Sequence, residues 1–278
     1  MVLIRTMQAA DIELGLRLCR QAGWNQTDAD WRRFLEMQPD GCFVAELDGT
    51  PVGTTTTCIF GPVAWIAMVL VEVTARRKGI ATALLKHALD FLDSRKVRTV
   101  RLDATAAGQP VYEKRGFAPE YALTRYEGTA PQVAGHGDVT EAATNSFAEI
   151  VAFDQRMTGT PREKMLTRLF AESPQALHIV HREGQLEGYT TVRHGANAIQ
   201  IGPCVATASA GPVLLADALN RCAGRSVFMD VPRDNAGAMG IAEASGLRIQ
   251  RHFTRMCRGD RIHDHVEAIW ASSGPEKG

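Results

Sequence analysis

One stretch of this chain recurs, and the repeat constrains the fold more than any other feature. Residues 105–126 read TAAGQPVYEKRGFAPEYALTRY, and residues 235–256 read NAGAMGIAEASGLRIQRHFTRM. The two align without a gap. Gly116-Phe117 falls on Gly246-Leu247 and Thr124-Arg125 on Thr254-Arg255, 130 positions later throughout. Upstream, Val100-Arg101-Leu102-Asp103 resembles Val227-Phe228-Met229-Asp230 once a three-residue gap is allowed. A fixed offset is the mark of a duplicated supersecondary unit. A shared short helix–strand pattern would not make both the turn glycine and the Thr-Arg pair coincide. The chain therefore reads as two halves of one fold, 1–130 and 138–271. They are joined near Thr129–Asp138, where Pro, Gly and small residues cluster. The tail Ser272–Gly278 is expected to fray.

In the first half, hydrophobic periodicity predicts a mixed α/β sheet in the order β-α-α-β-β-β-α-β-α-β. A strand at Val2–Met7 precedes a helix over Ile12–Ala22 that Gly23 ends. A second helix covers Asp30–Met37. Cys42–Leu47 and Pro51–Cys58 flank the Asp48-Gly49 turn, a hairpin signal. Val63–Val71 is almost continuously apolar, as in a strand buried on both faces. Ile80–Asp93 carries a helical stripe of Ile80, Leu84, Leu85, Ala88, Leu89 and Leu92. A strand at Val97–Asp103, a short helix at Gln109–Arg115 and a returning strand from Phe117 complete the half.

Composition excludes several classes. With 31 Lys+Arg against 31 Asp+Glu, the chain lacks the basic excess that nucleic-acid binding needs. At 45% hydrophobic residues it is not disordered. The six cysteines form no CxxC and no zinc spacing, so free thiols and no metal are expected. His263-Asp264-His265 offers too few ligands to change that. No signal peptide is visible at Met1-Val2-Leu3-Ile4-Arg5, and no apolar run is long enough for a bilayer. The expectation is a cytoplasmic protein, away from membranes.

The chemistry concentrates where the buried strand ends. Arg76-Arg77-Lys78-Gly79-Ile80-Ala81-Thr82 leads into the Ile80 helix. Gly79 lets a ligand approach the backbone. The helix start offers unpaired N–H groups and a positive dipole end, an anion site suited to a pyrophosphate. Neither GxxxxGK[ST] nor GxGxxG is present.

This pattern resembles the GCN5-related N-acetyltransferase (GNAT) superfamily. Its Gln/Arg-x-x-Gly-x-Gly/Ala motif is met by Arg76-x-x-Gly79-x-Ala81 after Met68-Val69-Leu70-Val71. A second element, Tyr112-x-x-x-Gly116-Phe117, follows at the usual distance. The resemblance covers about residues 2–128, and residues 130–260 look like a diverged copy, so the whole resembles a tandem GNAT. It implies acetyl-CoA as co-substrate. Backbone groups of Val69 and Val71 would bind the pantetheine arm where two strands splay apart. The amides from Arg77 to Thr82 would hold the pyrophosphate. Tyr112 would protonate the leaving thiolate. The Asn often found seven residues before that tyrosine is Thr105 here.

Glu72, at the end of the buried strand, is a candidate general base beside a water chain. Trp24 and Asn25, in the loop between the first two helices, are candidate substrate residues. Plain packing of Trp31 and capping by Asn25 or Thr27 is the alternative. In the second half Ala206–Pro212 has no Arg-x-x-Gly, Ala242 replaces the tyrosine, and Asn235 keeps the Asn that the first copy lacks. That half is expected not to bind CoA, and instead to shape the substrate pocket or serve as scaffold. Asp154 and Arg162 read as an intra-domain salt bridge rather than a ligand site. The expected activity is acetyl transfer to the primary amine of a small molecule, by a monomer or homodimer. Protein lysine or N-terminal acetylation, or an acyl-CoA sensor without turnover, are the alternatives.

Overall fold

The computed structural model describes residues 1–133 and 138–277. The middle of the expected linker, 134–137, therefore lies outside the described residues. The first half runs β1 (Val2–Thr6), α1 (Ile12–Ala22), α2 (Asp28–Met37), β2 (Cys42–Leu47), β3 (Thr50–Phe60), β4 (Val63–Val71), α3 (Ile80–Ser94), β5 (Thr99–Ala104), α4 (Gln109–Glu113) and β6 (Ala118–Thr129). The second half repeats the plan. It has β7 (Val139–Glu141), α5 (Phe147–Thr158), α6 (Glu163–Glu172), β8 (His178–Arg182), β9 (Gln185–Arg193), β10 (Ile199–Ala206), α7 (Gly211–Arg221), β11 (Ser226–Pro232), α8 (Ala236–Ala244), β12 (Arg248–Gly259) and an added β13 (Ile269–Ala271).

Local chemistry accounts for the boundaries. Gly23 takes the left-handed conformation (φ +65°) that ends α1. Thr27 and Asp30 form a capping box that starts α2 two residues earlier than the periodicity predicts. The α3 stripe from Ile80 to Leu92 is buried, as its spacing requires. Helices α1, α2, α5 and α6 share one apolar core on one side of the sheet. It holds Leu18, Trp31 and Phe34 with Ile150, Phe153 and Leu166. Helix α3 on one half, and α7 and α8 on the other, build separate cores.

The two halves make one sheet because they exchange their last strands. The order is β1-β2-β3-β4-β5-β12-β6-β11-β10-β9-β8-β7, with β13 on β10. Thus β12 of the second half pairs with β5 of the first, while β6 of the first half pairs with β11 of the second. The repeated arginines lie on these strands and the repeated aspartates on their new neighbours. Arg125 pairs opposite Asp230 and Arg255 opposite Asp103. Both pairs are fork-to-fork. Arg125 Nε and Nη2 reach the Asp230 oxygens at 2.7 Å each, and Arg255 reaches Asp103 at 2.9 Å twice. All four side chains are buried.

The expectation that Ser272–Gly278 frays is overturned for Ser272–Lys277; Gly278 lies outside the described residues. Ser272, Ser273, Glu276 and Lys277 are each at most 4% exposed. Lys277 Nζ lies 3.4 Å from Asp30 of α2, and Glu276 takes Arg193 of β9 at 2.5 Å. Trp65 Nε1 donates to the Pro275 carbonyl at 3.1 Å. A sequence of Ser, Gly, Pro and charges reads as solvated until such distant partners are known.

Removing one partner of a buried ion pair strands the other. Arg255→Met should therefore lower unfolding free energy by about 3–5 kcal/mol. Arg255→Met with Asp103→Leu should recover most of that loss, read from denaturant midpoints. Equal losses in both variants would show that the pair does not clamp the exchange.

Candidate active site

The cleft begins where two parallel strands part. β4 pairs with β5 only at Val63–Trp65 against Thr99–Arg101. From Ile66 to Val71 that edge of β4 pairs with no strand among the described residues, and Val69 and Val71 lie on it. A bulge interrupts pairing with β3 beside Val69, with Met68 at φ +52°. Thr54 Oγ1 donates to Met68 O at 2.9 Å and Thr55 Oγ1 to Ala67 O at 3.3 Å, which fixes the bulge. Past the strand, Arg77 and Gly79 both adopt positive φ (+61° and +78°). The first helical bond of α3 is Ala83 N–H to Gly79 O, so the Ile80, Ala81 and Thr82 amides stand at the open end. A Cβ on Gly79 would meet nothing within 4 Å. Arg77 and Lys78 are exposed beside this end. Arg76 turns back, its Nε donating to Val71 O at 3.1 Å, which occupies the backbone carbonyl of one of the two expected pantetheine-binding residues.

A small cavity, open to solvent at its mouth, continues from the splay. Met68, Val69, Thr105 and Tyr112 line one side, and Trp24, Gln26, Arg251, Phe253 and Glu276 are among the rest. Tyr112 sits on α4 with its ring edge-on to Phe117, centroids 5.9 Å apart. Burial pushes its phenol up to about 12, so it stays protonated at neutral pH.

The second half splays in the same way, because β10 meets β11 only over Ile199–Ile201. Here the protein fills the gap. β13 pairs with β10 at Cys204 and Val205, and Ser272 N–H donates to Asp230 O of β11 at 2.8 Å. Asn235 Nδ2 donates to the Ile269 carbonyl of the inserted strand at 3.1 Å. Trp270 packs so closely on the start of α7 that a Cβ on Gly211 would come within 1.8 Å of it. Glu187 stands at the same helix end, bonded by Ser209 Oγ at 2.8 Å and by Thr207 Oγ1 at 3.3 Å. A carboxylate thus holds the loop that leads into α7.

Two family models match the chain. One, described as an acetyltransferase (GNAT) family, matches residues 12–117; the other, an acetyltransferase (GNAT) domain, matches residues 150–271. The chain belongs to the GNAT acetyltransferase family. It is a tandem GNAT protein and an acyltransferase. It is 25% identical over 259 residues to a holothin acyltransferase from Pseudoalteromonas sp., covering 92% of this chain and 87% of that protein. A putative acetyltransferase from Pyrococcus horikoshii superposes with a TM-score of 0.84 at 26% identity, over 100% of this chain and 96% of its own. A tandem GNAT protein from the clavulanic acid biosynthesis pathway shares the fold, with a TM-score of 0.66 at 16% identity over 95% and 100% of the two chains.

Within this GNAT frame the other sequence candidates separate. Glu72 does not line the cavity with Tyr112. Its carboxylate takes Arg17 Nε at 3.1 Å and the Gln21 side chain, both on α1. Trp24 does line it. Asn25 is spent on the second half: Nδ2 donates to Ala198 O at 2.9 Å, and Oδ1 accepts from the amides of Asn197 and Ala198 at 2.8 and 3.0 Å. Trp31 is core and Thr27 is a cap. Asp154 and Arg162 form a buried ion pair at 2.6 Å, with the Tyr189 hydroxyl on the same carboxylate. Asp264 turns inward to Arg101 and Tyr121, away from exposed His263 and His265. Burial works against its charge, yet Arg101 holds the carboxyl below its usual range. Among the described residues no three His, Cys, Asp or Glu are grouped to hold a metal. All six cysteines are buried free thiols. No described helix is long and apolar enough to cross a membrane.

The sequence reading missed Gln26, Arg125, Arg251, Phe253, Pro275 and Glu276 as cavity residues. The repeated Thr-Arg pair was the one signal available, for Arg125. Asn25→Leu should act on stability: it strips three backbone groups of their partner, each worth about 1–3 kcal/mol when left unpaired. A lower melting temperature with unchanged acetyl-CoA affinity is expected. A selective loss of acceptor binding would return Asn25 to the substrate site.

Proposed function

We propose that the first half transfers an acetyl group from acetyl-CoA to the primary amine of a small molecule, in a ternary complex. The observation that carries this is the asymmetry of the two splays. One is open with a tyrosine beside it, and the other is closed by the protein's own strand. The donor set of the open site fits the co-substrate. The α3 amides with Arg77 and Lys78 suit a pyrophosphate, and the free β4 edge suits the amide groups of a pantetheine arm. When bound there, acetyl-CoA supplies an acyl thioester whose carbonyl carbon joins the amine nitrogen as the C–S bond breaks.

The residues of this chain do the rest. The Val69 amide, beside the bulge, is placed to donate to the thioester oxygen. Tyr112 holds a proton at its hydroxyl for the sulfur. The amine nitrogen sheds one proton to solvent before attack and a second during it, which balances the proton that sulfur gains. A cavity walled by Trp24 from one side and Pro275 and Glu276 from another suits a small acceptor.

Thiol release from acetyl-CoA across a panel of amines tests the reading. Tyr112→Phe should lower kcat about 10²–10⁴-fold, the usual value of a positioned proton transfer. Gly79→Asp should abolish acetyl-CoA binding with the fold intact, because the second half offers no replacement site. A titrating acid loses function as pH rises through its pKa. With Tyr112 near 12, the wild-type pH–rate profile should therefore rise as the amine deprotonates and show no alkaline fall below pH ~10. Tight acetyl-CoA binding without thiol release to any amine would instead indicate a sensor.

A further inference from the structure

One cation in the cavity wall has no anion to balance it. Arg251 of β12 lines the cavity that Tyr112 and Val69 line. Its register sets it directly opposite Arg125 of β6, with His252 opposite Thr124 and Phe253 opposite Leu123. Opposed residues of an antiparallel pair share a face, and successive residues alternate between faces. His252 meets the Thr124 hydroxyl on one face. Arg251, Phe253 and Arg125 share the other, and all three line the cavity. Like charges set opposite each other on a sheet face are unfavourable. Burial, and after it the Arg125 charge, hold the Arg251 guanidinium below its usual range.

The other charges of that wall are taken. Arg125 is forked onto Asp230 and stacked on Phe228 and Phe253. Asp103 is held by Arg255, and Glu276 by Arg193 and Lys277. Arg251 Nε donates to Gln250 Oε1 at 2.9 Å, and the Gln250 amide in turn donates to Glu127. Among the described residues the two terminal nitrogens of Arg251 meet no acceptor, and neither is sealed in the interior. The side chain is half-buried. The Gln250 bond thus steadies the guanidinium and leaves its outer fork open.

That fork narrows the ligand. A planar guanidinium edge matches the two oxygens of a carboxylate. A phosphate dianion needs two balancing charges, and the wall offers one open cation. Trp24, Ile66 and Phe253 supply apolar surface for a carbon body. Resting on the acetyl-transfer reading, we infer that Arg251 is a specificity-determining residue that binds a carboxylate of the acceptor, so that the substrate class is amines bearing a carboxylate, amino acids among them. Tyr112 and α3 belong to the first half and Arg251 to the exchanged strand of the second. One half then supplies the chemistry and the other recognises the acceptor.

The test uses the full chain with acetyl-CoA and pairs of amines that differ by one carboxylate: lysine and cadaverine, tyrosine and tyramine, phenylalanine and phenethylamine, β-alanine and ethylamine, 4-aminobutyrate and propylamine. Thiol release gives kcat/KM for each. In the pair turned over best, wild type should prefer the acid by about tenfold or more, the worth of a charge-assisted fork. Arg251→Met should raise KM for that acid by about tenfold or more, and leave KM for its decarboxylated partner and for acetyl-CoA within about twofold. Arg251→Lys keeps the charge without the fork and should fall between; it carries the test if Arg251→Met fails to fold. If amines are acetylated with no preference for the acid, or if the variants keep the wild-type preference, this inference fails and acetyl transfer stands. Taurine or 2-aminoethylphosphonate favoured over β-alanine would overturn the carboxylate. A rise in KM for acetyl-CoA in place of the acid would put Arg251 on the co-substrate and overturn it as well. If acetyl-CoA binds and no amine releases thiol, the acetyl-transfer reading fails and takes this inference with it.

Discussion

Two reciprocal ion pairs, Arg125 with Asp230 and Arg255 with Asp103, hold the centre of this molecule. Each joins a strand of one half to a strand of the other, β6 to β11 and β12 to β5. Buried charges of this kind are rarely a net source of stability, but they penalise every arrangement that leaves one unpaired. If β6 and β12 were withdrawn from the exchange, four charges would lose these partners in the interior. The exchange also dictates what the first half can use for a cleft. Arg251 and Phe253 come from β12, and Asp103 and Arg125 are themselves cavity residues. The site attributed to the first half is therefore floored in part by the second.

The duplicated fold has been put to two uses. In a GNAT half the splayed strands and the helix start form one continuous receptor. The second half satisfies that receptor internally: β13 occupies the strand edge, Asn235 holds its carbonyl, Trp270 covers the helix start and Glu187 bonds the Ser209 hydroxyl ahead of it. A tethered segment loses far less freedom on docking than a separate ligand does, which favours it in the splay over any separate occupant. Continuing past β13, the same segment delivers Pro275 and Glu276 into the wall of the open cleft. Filling one splay and walling the other cleft follow from one insertion.

Much of this was legible in the chain. The Asp48-Gly49 turn, the Gly23 stop and the Ile80–Leu92 stripe fix their elements through local sterics and burial, which a sequence displays. The GNAT motif placed the strand–loop–helix junction for the same reason. The exchange was not legible, because a strand reads identically whether it returns to its own half or crosses to the other. The Thr-Arg coincidence carried the fact of pairing but not its partner. Asn25 looked like a substrate amide because its three bonds run to residues 197 and 198 of the other half. Glu72 looked available because its partners Arg17 and Gln21 lie on a different element. Both cases have one cause: a polar side chain is assigned by its partner, and the partner is remote in sequence.

The segment after β13 shows that rule most sharply. Pro275 is the one sizeable apolar residue in Ser272–Lys277, so apolar burial cannot hold the segment down. What holds it is a cluster of buried charges from three places: Asp30 and Arg33 on α2, Arg193 on β9, and Glu276 with Lys277. Burial works against the charge on Asp30, yet Arg193, Lys277 and Arg33 keep its carboxyl well below the usual range. Burial also brings the Lys277 ammonium down to about 8, which still leaves it mostly protonated at neutral pH. Every member of the cluster depends on the others to remain charged in the interior. The docking of α2 onto the second half and the seating of Glu276 in the cavity wall therefore rest on the same buried charges, and that wall of the cleft exists only when the two halves are correctly joined.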